Sequence, residues 1–401
     1  LPMLGLAVAS SAVTILAQHE SMSPVWRISL PMRLANAVVS GTDYLRQMFW
    51  PTDLAILYPW DESRLGFANV SISIALLGGI SLAVYFLRRH RYLVTGWLWY
   101  LVMLGPVIGI LQVGNQARAD RYTYLPQIGV YLLLTWATAE LCAGRRFLRP
   151  IIASLGAAIL VALTLCARTQ AAYWRDSEAL WSHALACTPD NIVAEANLGE
   201  ACYEKGKNGE AMMHFENSLR IEPRQAAIHS SLGVFFLELG QPDESIAHLQ
   251  QALEIEPNYE NAHYNLANTY LQIGRAREAI SHYQRALEIE PDDTEAMNNM
   301  AWILATWADP LVRDGTKAVE LAQRADSLTR GKNQVIAATL AAALAEAGRF
   351  AEASTTGERA FQLASAEGNT SRADSIRAQI ELYRSGVAFR DQRNASFPAG
   401  N

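Results

Sequence analysis

The segment 112–126 holds the charged side chains best suited to chemistry in the first half of the chain. Arg118 and Arg121 flank Asp120 there, at the end of an apolar stretch. Two guanidinium groups can hold a phosphate, and their charge favours the ionised form of a neighbouring carboxyl group. The alternative is that the three side chains cap helix ends and pair with one another, which is the commoner use of charges at a membrane boundary.

A 34-residue repeat organises the second half of the chain. It is marked by prolines at Pro189, Pro223, Pro257 and Pro291, and by turn glycines at Gly206, Gly240 and Gly274. This period is typical of tetratricopeptide repeats (TPRs), pairs of helices that stack into an α-solenoid because no single pair can bury its apolar face.

Side-chain amides recur in the first helix of each repeat, which lines the concave groove of such a solenoid. One helical position holds Asn197, Ser231, Asn265 and Asn299, and a second holds Asn268. A row of amides can bind an extended peptide backbone through paired donors and acceptors, without reading its sequence. The alternative is that asparagine is simply common at this position in TPRs.

Three histidines, His214, His248 and His282, also recur at 34 residues. Neighbouring repeats lie on the order of 10 Å apart, judged from helix diameters, which is too far for these side chains to share one ion. We therefore expect ordinary, half-exposed helix residues and no metal site. The nucleotide-binding, metalloprotease and serine-hydrolase motifs are absent from the chain, so the sequence predicts no certain cofactor.

The charge is divided between the two halves. Residues 1–170 contain 13 Arg, no Lys and seven Asp or Glu, a net charge of +6, and the remainder carries −12. This asymmetry predicts a membrane domain followed by an aqueous one and argues against nucleic-acid binding. Cys187 and Cys202 lie in the aqueous part and have the chance to pair in an oxidising compartment.

Apolar stretches near 20 residues predict several membrane spans. Five stretches have this character: 1–17, 67–87, 93–113, 124–142 and 151–167. The arginine-rich loops 88–91 and 144–149 are expected to stay in the cytoplasm. Alternate threading then places the repeats on the opposite side, which is the periplasm for a bacterial inner-membrane protein.

These patterns together predict an all-α protein, with polytopic transmembrane helices followed by a TPR α-solenoid. An amphipathic helix near 29–50 is expected to lie in the headgroup plane, the alternative being an ordinary surface connector. The predicted divisions are a membrane domain at 1–170, a linker and half-repeat at 171–188, about five repeats at 189–369, a capping helix at 370–386 and a flexible tail at 387–401.

The membrane half also resembles a known family. The segments RLANAVVS…DYLRQMFWPTDLAILYPW and GPVIGILQVGNQARADRYTYLPQIG, followed by TPRs, resemble bacterial relatives of the transmembrane and TPR-containing protein O-mannosyltransferases. The resemblance implies a GT-C-type membrane fold that transfers sugar from a polyprenyl-phosphate donor to protein Ser or Thr. It implies that this chain is the C-terminal part of such an enzyme.

The resemblance also assigns candidate roles. Arg118 and Arg121 are expected on the lipid phosphate with Asp120 orienting them, and Arg33 is a further candidate. The family's catalytic carboxylate lies in the first outer loop, upstream of this chain, so no catalytic residue is named. The expected partners are membrane lipid and a protein or peptide in the TPR groove. A second hypothesis is a non-catalytic membrane scaffold whose repeats gather partners for envelope assembly.

Overall fold

The computed structural model describes residues 28–110 and 116–391. The predicted span at 1–17 lies outside these residues. The chain divides into two compact units, Leu1–Ile221 and Glu222–Asn401. The fold is helical apart from one two-stranded antiparallel sheet.

The first unit contains eight described helices and both strands. In chain order they are α1 Leu30–Phe49, β1 Tyr58–Pro59, α2 Phe67–Phe86, α3 Arg91–Leu104, β2 Gln116–Arg118, α4 Tyr124–Ala143, α5 Leu148–Tyr173, α6 Ser177–Cys187, α7 Ile192–Glu204 and α8 Asn208–Ile221. Single 3₁₀ turns precede α2 at Glu62–Leu65 and α4 at Asp120–Thr123.

Helix α1 forms where an amphipathic helix is predicted, but its apolar stripe is divided. Leu30 and Leu34 at its start are exposed, whereas Leu45 and Met48 near its end are buried in a cluster with α3. The packed face also carries polar residues, among them Gln47. The helix is therefore held by polar contacts as well as by apolar burial.

Two of the described helices, α2 and α5, are long and apolar enough to cross a membrane. The rest of the chain covers little of these helices. In the 18-residue apolar stretch of each helix, 11% of the residues of α2 and none of those of α5 are buried. Apolar helices left uncovered to this degree are unlike the core helices of a soluble protein. Of the five predicted spans, two correspond to helices that are long and apolar enough to cross a membrane in the part of the chain that the structure describes.

The predicted span at 93–113 does not form one long helix in the described residues. Helix α3 has 14 residues, about 21 Å at 1.5 Å per residue, which is less than the roughly 30 Å of a bilayer core. It ends before Gly105 and Pro106, because proline removes a helical donor and restricts the preceding residue.

Helices α3 and α4 form a tight hairpin. A Cβ atom placed on Gly96 would lie 2.4 Å from the carbonyl oxygen of Gly129, so the two backbones meet where both residues lack a side chain. At one end of the hairpin, the Tyr92 hydroxyl donates to Glu140 Oε2 at 2.5 Å. This contact places the residues before α3 and those after α4 at the same end of the hairpin.

The first compact unit extends to Ile221 and therefore includes the first repeat. Three side chains, from α5, from α6 and from the residue before α7, contact the loop that follows α1. Gln170 Nε2 and His183 Nε2 lie 3.0 Å from the carbonyl oxygen of Leu54, and Asn191 Nδ2 lies 3.4 Å from that of Leu57.

The described part of the second unit is a succession of nine helices. They are α9 Ala226–Glu238, α10 Pro242–Ile255, α11 Glu260–Gln272, α12 Ala276–Ile289, α13 Thr294–Thr306, α14 Gly315–Leu328, α15 Gln334–Glu346, α16 Phe350–Ala366 and α17 Thr370–Arg384. Consecutive helices from α9 to α16 pair as hairpins, and α17 packs on α16. The fold is solenoid-like, as predicted from the repeat.

The turns and the helix contacts follow from small residues. Gly240, Gly274 and Gly348 end the first helix of their pairs with φ between 73° and 78°, a conformation that glycine adopts without steric cost. Inside the hairpin, a Cβ on Gly233 would lie 2.5 Å from Leu249 Cγ, so glycine lets α9 approach α10. A continuous alanine-rich core runs from α9 to α17.

The recurring histidines pair within a repeat rather than across repeats. His248 Nδ1 lies 3.1 Å from His229 Nδ1, and His282 Nδ1 lies 3.0 Å from His263 Nδ1. His263 Nε2 also lies 3.2 Å from the carbonyl oxygen of Pro257 and must donate to it. Two neutral rings satisfy these contacts when His263 Nδ1 accepts from His282 Nδ1, whereas a proton on each ring would leave two donors facing each other. The structure shows no metal cluster among the described residues.

We predict that this histidine pair makes stability fall in mild acid. Burial lowers the pKa of His282 to about 4 and also lowers that of His263. The unfolded chain then binds more protons than the folded one between about pH 6.5 and 4, so the unfolding free energy decreases as pH falls through that window. His282→Gln should remove about 1 kcal/mol of this loss at pH 5, a value discounted for partial exposure.

Urea unfolding followed by circular dichroism at pH 7 and pH 5 measures the difference between the two proteins. Burial raises the pKa of Glu260 to about 7, which gives the opposite slope, but this group is common to both proteins and cancels in the comparison. Equal acid losses in wild type and variant would contradict the prediction.

Candidate functional site

The first candidate site is built on the small sheet of the first unit. β1 and β2 pair antiparallel, with Tyr58 opposite Arg118. Two side chains of α1 donate hydrogen bonds to the backbone of β2 and the residue that follows it. Asn36 Nδ2 donates to the carbonyl oxygen of Ala117 at 3.0 Å, and the Tyr44 hydroxyl donates to that of Ala119 at 3.2 Å. Helix α1 thereby fixes where the side chains of segment 116–120 point.

Arg118 is buried and paired. Only 5% of its side chain is exposed, Nη1 lies 3.2 Å from Asp43 Oδ2, and the guanidinium lies 4.0 Å from the centre of the Tyr58 ring. Asp43 also pairs with Arg64. Because a buried guanidinium keeps its charge, Asp43 is the counter-ion that makes the burial of Arg118 tolerable.

Asp120 contacts Tyr58 rather than an arginine. Its Oδ2 accepts a hydrogen bond from the Tyr58 hydroxyl at 3.1 Å, and Gln47 Nε2 donates to the same hydroxyl at 2.9 Å. Burial raises the pKa of Asp120 to about 6, and the bond from Tyr58 and the charge of Arg118 reduce this rise without cancelling it. The arginine charge is therefore weaker than desolvation here, in contrast to the expectation from sequence.

The other two predicted arginines lie apart from this cluster. Arg121 is exposed, with its guanidinium 5.3 Å from the centre of the Tyr122 ring. Arg33 lies near the start of α1, where Nη1 donates to the carbonyl oxygen of Ile110 at 2.9 Å. The structure thus brings together Arg118 and Asp120, and it places neither Arg121 nor Arg33 in ion-pair contact with a described residue.

A cavity of 740 Å³ opens beside the cluster. Its lining comprises Arg46, Asp53, Tyr58 to Arg64, Arg118 and the segment Ala186 to Asp190. Arg64 and Arg118 share Asp43, but Arg46 is exposed and makes no ion pair with any described residue. Arg46 is therefore the lining cation best placed to meet an anionic ligand.

Several polar atoms around the cavity lack partners. Arg118 Nε, Asp120 Oδ1 and Trp60 Nε1 are buried and make no hydrogen bond within the described residues. Such atoms are rare in folded proteins and costly. Arg118 and Trp60 line the cavity and supply two unpartnered donors, whereas Asp120 lies outside the lining. Two donors suit a ligand with acceptor oxygens, such as a sugar or a phosphate, and the lining carboxylates Asp53, Asp61, Glu62 and Asp190 favour the hydroxyl groups of a sugar.

The second candidate site is the amide series of the repeats. Asn265 Nδ2 donates to Ser230 Oγ at 3.2 Å, and Asn299 Nδ2 donates to the Tyr264 hydroxyl at 3.3 Å. Asn268 Oδ1 accepts from the hydroxyl of Tyr283, a fully buried residue. The series is half-exposed and held in place by hydroxyl groups, while Asn265 Oδ1 has no donor among the described residues.

The remaining members of the series fit less uniformly. Asn197 lies in the first unit, where its Nδ2 donates back to the carbonyl oxygen of Val193 at 2.7 Å. Ser231 is half-exposed on α9. The ordered amides of the second unit are therefore Asn265, Asn268 and Asn299.

Sequence reasoning missed Asp43, Gln47, Tyr58 and Arg46. Asp43, Arg46 and Gln47 lie in the helix predicted near 29–50, and Tyr58 lies beyond it. The contacts of Asp43 and Tyr58 with Arg118 depend on the pairing of β1 with β2. The strands have two and three residues, which is too few for an alternating apolar–polar pattern to predict them. Cys187 and Cys202 are free thiols in the structure.

We predict that Asp43→Asn destabilises the first unit much more than Arg64→Ala does. The first change leaves the buried Arg118 charge without its counter-ion, which costs roughly 3–5 kcal/mol. The second removes a partner that is 37% exposed, for which roughly 0–1 kcal/mol is expected. Thermal unfolding of the detergent-solubilised protein gives the comparison, and equal shifts in Tm would show that Asp43 is not the essential counter-ion.

Comparisons with known proteins support the repeats directly. One tetratricopeptide-repeat family model matches residues 236–303 and another matches residues 196–260. Among solved structures, YrrB, described as a TPR protein with an unusual peptide-binding site, covers 49% of this chain and 97% of its own, at 14% identity and a TM-score of 0.40. The MamA protein covers 44% and 93%, at 19% identity and a TM-score of 0.37.

Curated relatives add a distant similarity. The protein O-mannosyl-transferase TMTC1 of Mus musculus is 26% identical over 172 residues, which is 42% of this chain and 18% of that protein. Tmtc2 of Drosophila melanogaster is 29% identical over 110 residues, 27% of this chain and 12% of that protein. The chain spans less than a fifth of the length of these relatives. It is a TPR-containing chain with distant, partial similarity to protein O-mannosyl-transferases.

Proposed function

We propose that this chain is a membrane-anchored peptide-binding module, and that its TPR groove holds an extended segment of another protein. The observation that carries the proposal is the amide series Asn265, Asn268 and Asn299. These side chains are held by Ser230, Tyr283 and Tyr264. Because they are already ordered, binding a peptide backbone costs little additional side-chain entropy.

The chemistry of the series suits a backbone rather than one particular sequence. An amide offers a donor and an acceptor, as a peptide unit does. Asn265 Oδ1 has no donor among the described residues, so it is available to a backbone N–H group. A groove that reads main-chain atoms accepts many segments, which is what an enzyme acting on Ser and Thr in varied proteins requires.

The membrane part of the proposal rests on α2 and α5, which expose nearly all of their apolar surface. Their lipid-facing surface would make membrane lipid a partner. With the arginine-rich loops in the cytoplasm, the repeats would face the periplasm of a bacterial inner membrane. The remaining apolar segments, and the packed helix α1 near the headgroups, would complete a polytopic domain.

The second proposed function is catalytic and concerns the complete protein. The unpartnered donors Arg118 Nε and Trp60 Nε1, whose residues line a 740 Å³ cavity, favour it. Such a site would hold the phosphate of a polyprenyl-phosphate sugar in a GT-C-type transferase, with the peptide in the groove as acceptor. Cationic groups there would stabilise the leaving phosphate, and the catalytic base would come from outside this chain.

The structure alters the roles that these residues would have. Arg118 is paired with Asp43, so it would contribute positive electrostatic potential to the site from a fixed position rather than move to contact the ligand. Arg46 on the cavity lining is without an ion-pair partner in the described residues and would meet the phosphate itself, whereas Arg121 lies outside this lining. A non-catalytic scaffold for envelope assembly would need the groove but not these arginines.

The groove proposal predicts that Asn265→Ala combined with Asn299→Ala weakens binding of a disordered Ser/Thr-rich polypeptide about tenfold or more. Each lost hydrogen bond contributes about 1 kcal/mol, and 1.4 kcal/mol corresponds to a factor of ten. Fluorescence anisotropy of the labelled polypeptide measures the affinity.

Asn261→Ala is the matched control, because this amide is exposed on the same helix α11 and lies outside the series. Unchanged affinity in the double variant, with normal thermal unfolding, would contradict binding by the amide series.

The transferase proposal predicts that Arg46→Ala lowers sugar transfer by the full-length protein about tenfold, because the phosphate loses a charge-assisted contact. Membranes carrying lipid-linked sugar and an acceptor peptide provide the assay. Arg145→Ala, which changes an exposed arginine of the loop after α4, is the control. Transfer that survives the Arg46 change would remove this arginine from the site, and its absence from every full-length preparation would favour the scaffold.

A further inference from the structure

The segment 387–391 leaves the last helix and lies against the inner helices of the second unit. Gly386, with φ of 76°, ends α17, and the Val387 amide then donates to the carbonyl oxygen of Leu382 at 2.9 Å. This turn sends the chain back across α13 and α15 without regular secondary structure. Sequence alone predicts a flexible tail here, yet the segment is packed.

An aromatic side chain provides the first contact of the segment. The ring of Phe389 lies 5.8 Å from that of Trp302, centre to centre, on helix α13. Ala388 and Phe389 also pack on the main apolar core of the unit. Phe389 therefore serves as an apolar anchor.

The acidic residue two positions later is bound through both backbone and side chain. The Asp391 amide donates to the carbonyl oxygen of Thr306 at 3.0 Å, and Oδ2 accepts from Trp302 Nε1 at 3.2 Å. Asp391 is only 4% exposed. The indole N–H of Trp302 offsets part of the cost of burying this carboxylate.

Arg390, between Phe389 and Asp391, is held by an ion pair. Arg390 Nη2 lies 2.6 Å from Glu346 Oε2, and Glu346 Oε1 accepts from Arg313 Nε at 2.9 Å. Arg313 belongs to the loop 307–314, which replaces the three-residue turn of the other repeats. The loop thus fixes the carboxylate that Arg390 meets.

The segment fills one end of a longer groove. A cavity of 640 Å³ continues from Phe389 and Asp391 between α13, α15 and α17. Asn298 Oδ1 in its lining is buried and has no partner among the described residues. The lining also contains Asn299 of the amide series, so this cavity is continuous with the proposed groove.

We propose that residues 389–391 occupy a peptide-binding site of their own chain, and that an extended segment of another protein with the same chemistry competes for it. The competing segment would carry an aromatic residue and, two positions later, a carboxylate. Main-chain hydrogen bonds, an aromatic anchor and a charged end are the contacts by which extended peptides are recognised in grooves. The proposal rests on the proposed peptide-binding function and names the partner class.

Tethering gives the internal segment a strong advantage. A short linker holds a segment at an effective concentration of the order of millimolar. A partner at micromolar concentration binds this end of the groove when its contacts are better than those of the internal segment. The internal segment therefore sets an affinity threshold for partners.

A labelled peptide with the sequence of residues 385–395 tests the proposal on the full chain in detergent. The probe should bind the variant Phe389→Ala with Asp391→Asn at least tenfold more tightly than it binds wild type, because the variant's own segment has lost its anchors. Adding Trp302→Phe, which removes the indole N–H donor, should return the affinity to the wild-type level or below. Equal affinity for wild type and the double variant overturns the proposal.

Hydrogen exchange provides a measurement that needs no variant. Excess probe should increase exchange of the Asp391 amide in wild type while leaving the α13 backbone protected. Unchanged protection at saturating probe means that the segment is a permanent part of the fold, which also overturns the proposal.

The two binding proposals fail separately. A Ser/Thr-rich polypeptide whose binding depends on Asn265 and Asn299 supports the groove even when the tail variant gains no affinity for the probe. A gain for the probe without any effect of the two asparagines supports the competing segment and removes the amide series from binding.

Discussion

A polar group taken out of water needs a partner, and this requirement determines how both units of the chain are built. In the first unit the buried charge of Arg118 is offset by Asp43 and covered by the ring of Tyr58. In the second, the buried His229 and His263 each contact a second histidine through Nδ1. Apolar packing supplies most of the stability, but these pairings determine which side chains can face each other.

The places where the requirement is unmet are the places where function is proposed. Arg118 Nε and Trp60 Nε1 belong to residues that line one cavity, and Asn298 Oδ1 belongs to a residue that lines another. The remainder of each site is already ordered by hydrogen bonds within the protein. Binding groups fixed in advance lose little entropy when a ligand arrives, so the two cavities combine order with unused hydrogen-bonding capacity.

Much of the fold could be predicted from residue types because the determining interactions are local in the sequence. Glycine at 34-residue intervals adopts the positive φ of the turns, and Gly233 faces Leu249 only 16 positions along the chain. The same regularity predicted the amide series. It could not predict that His282 pairs with His263, because a 34-residue period aligns equivalent positions and conceals contacts between the two helices of one repeat.

The sequence by itself determined the helical repeats, the uncovered apolar helices and the division of charge, since each depends on periodicity or composition. Tertiary structure alone decided that Asp43 and Tyr58 meet Arg118, that Arg121 stays outside the cluster, and that Phe389 returns to Trp302. These contacts join residues far apart in the chain through short strands and one turn. Their geometry depends on the path of the whole backbone, which no local pattern records.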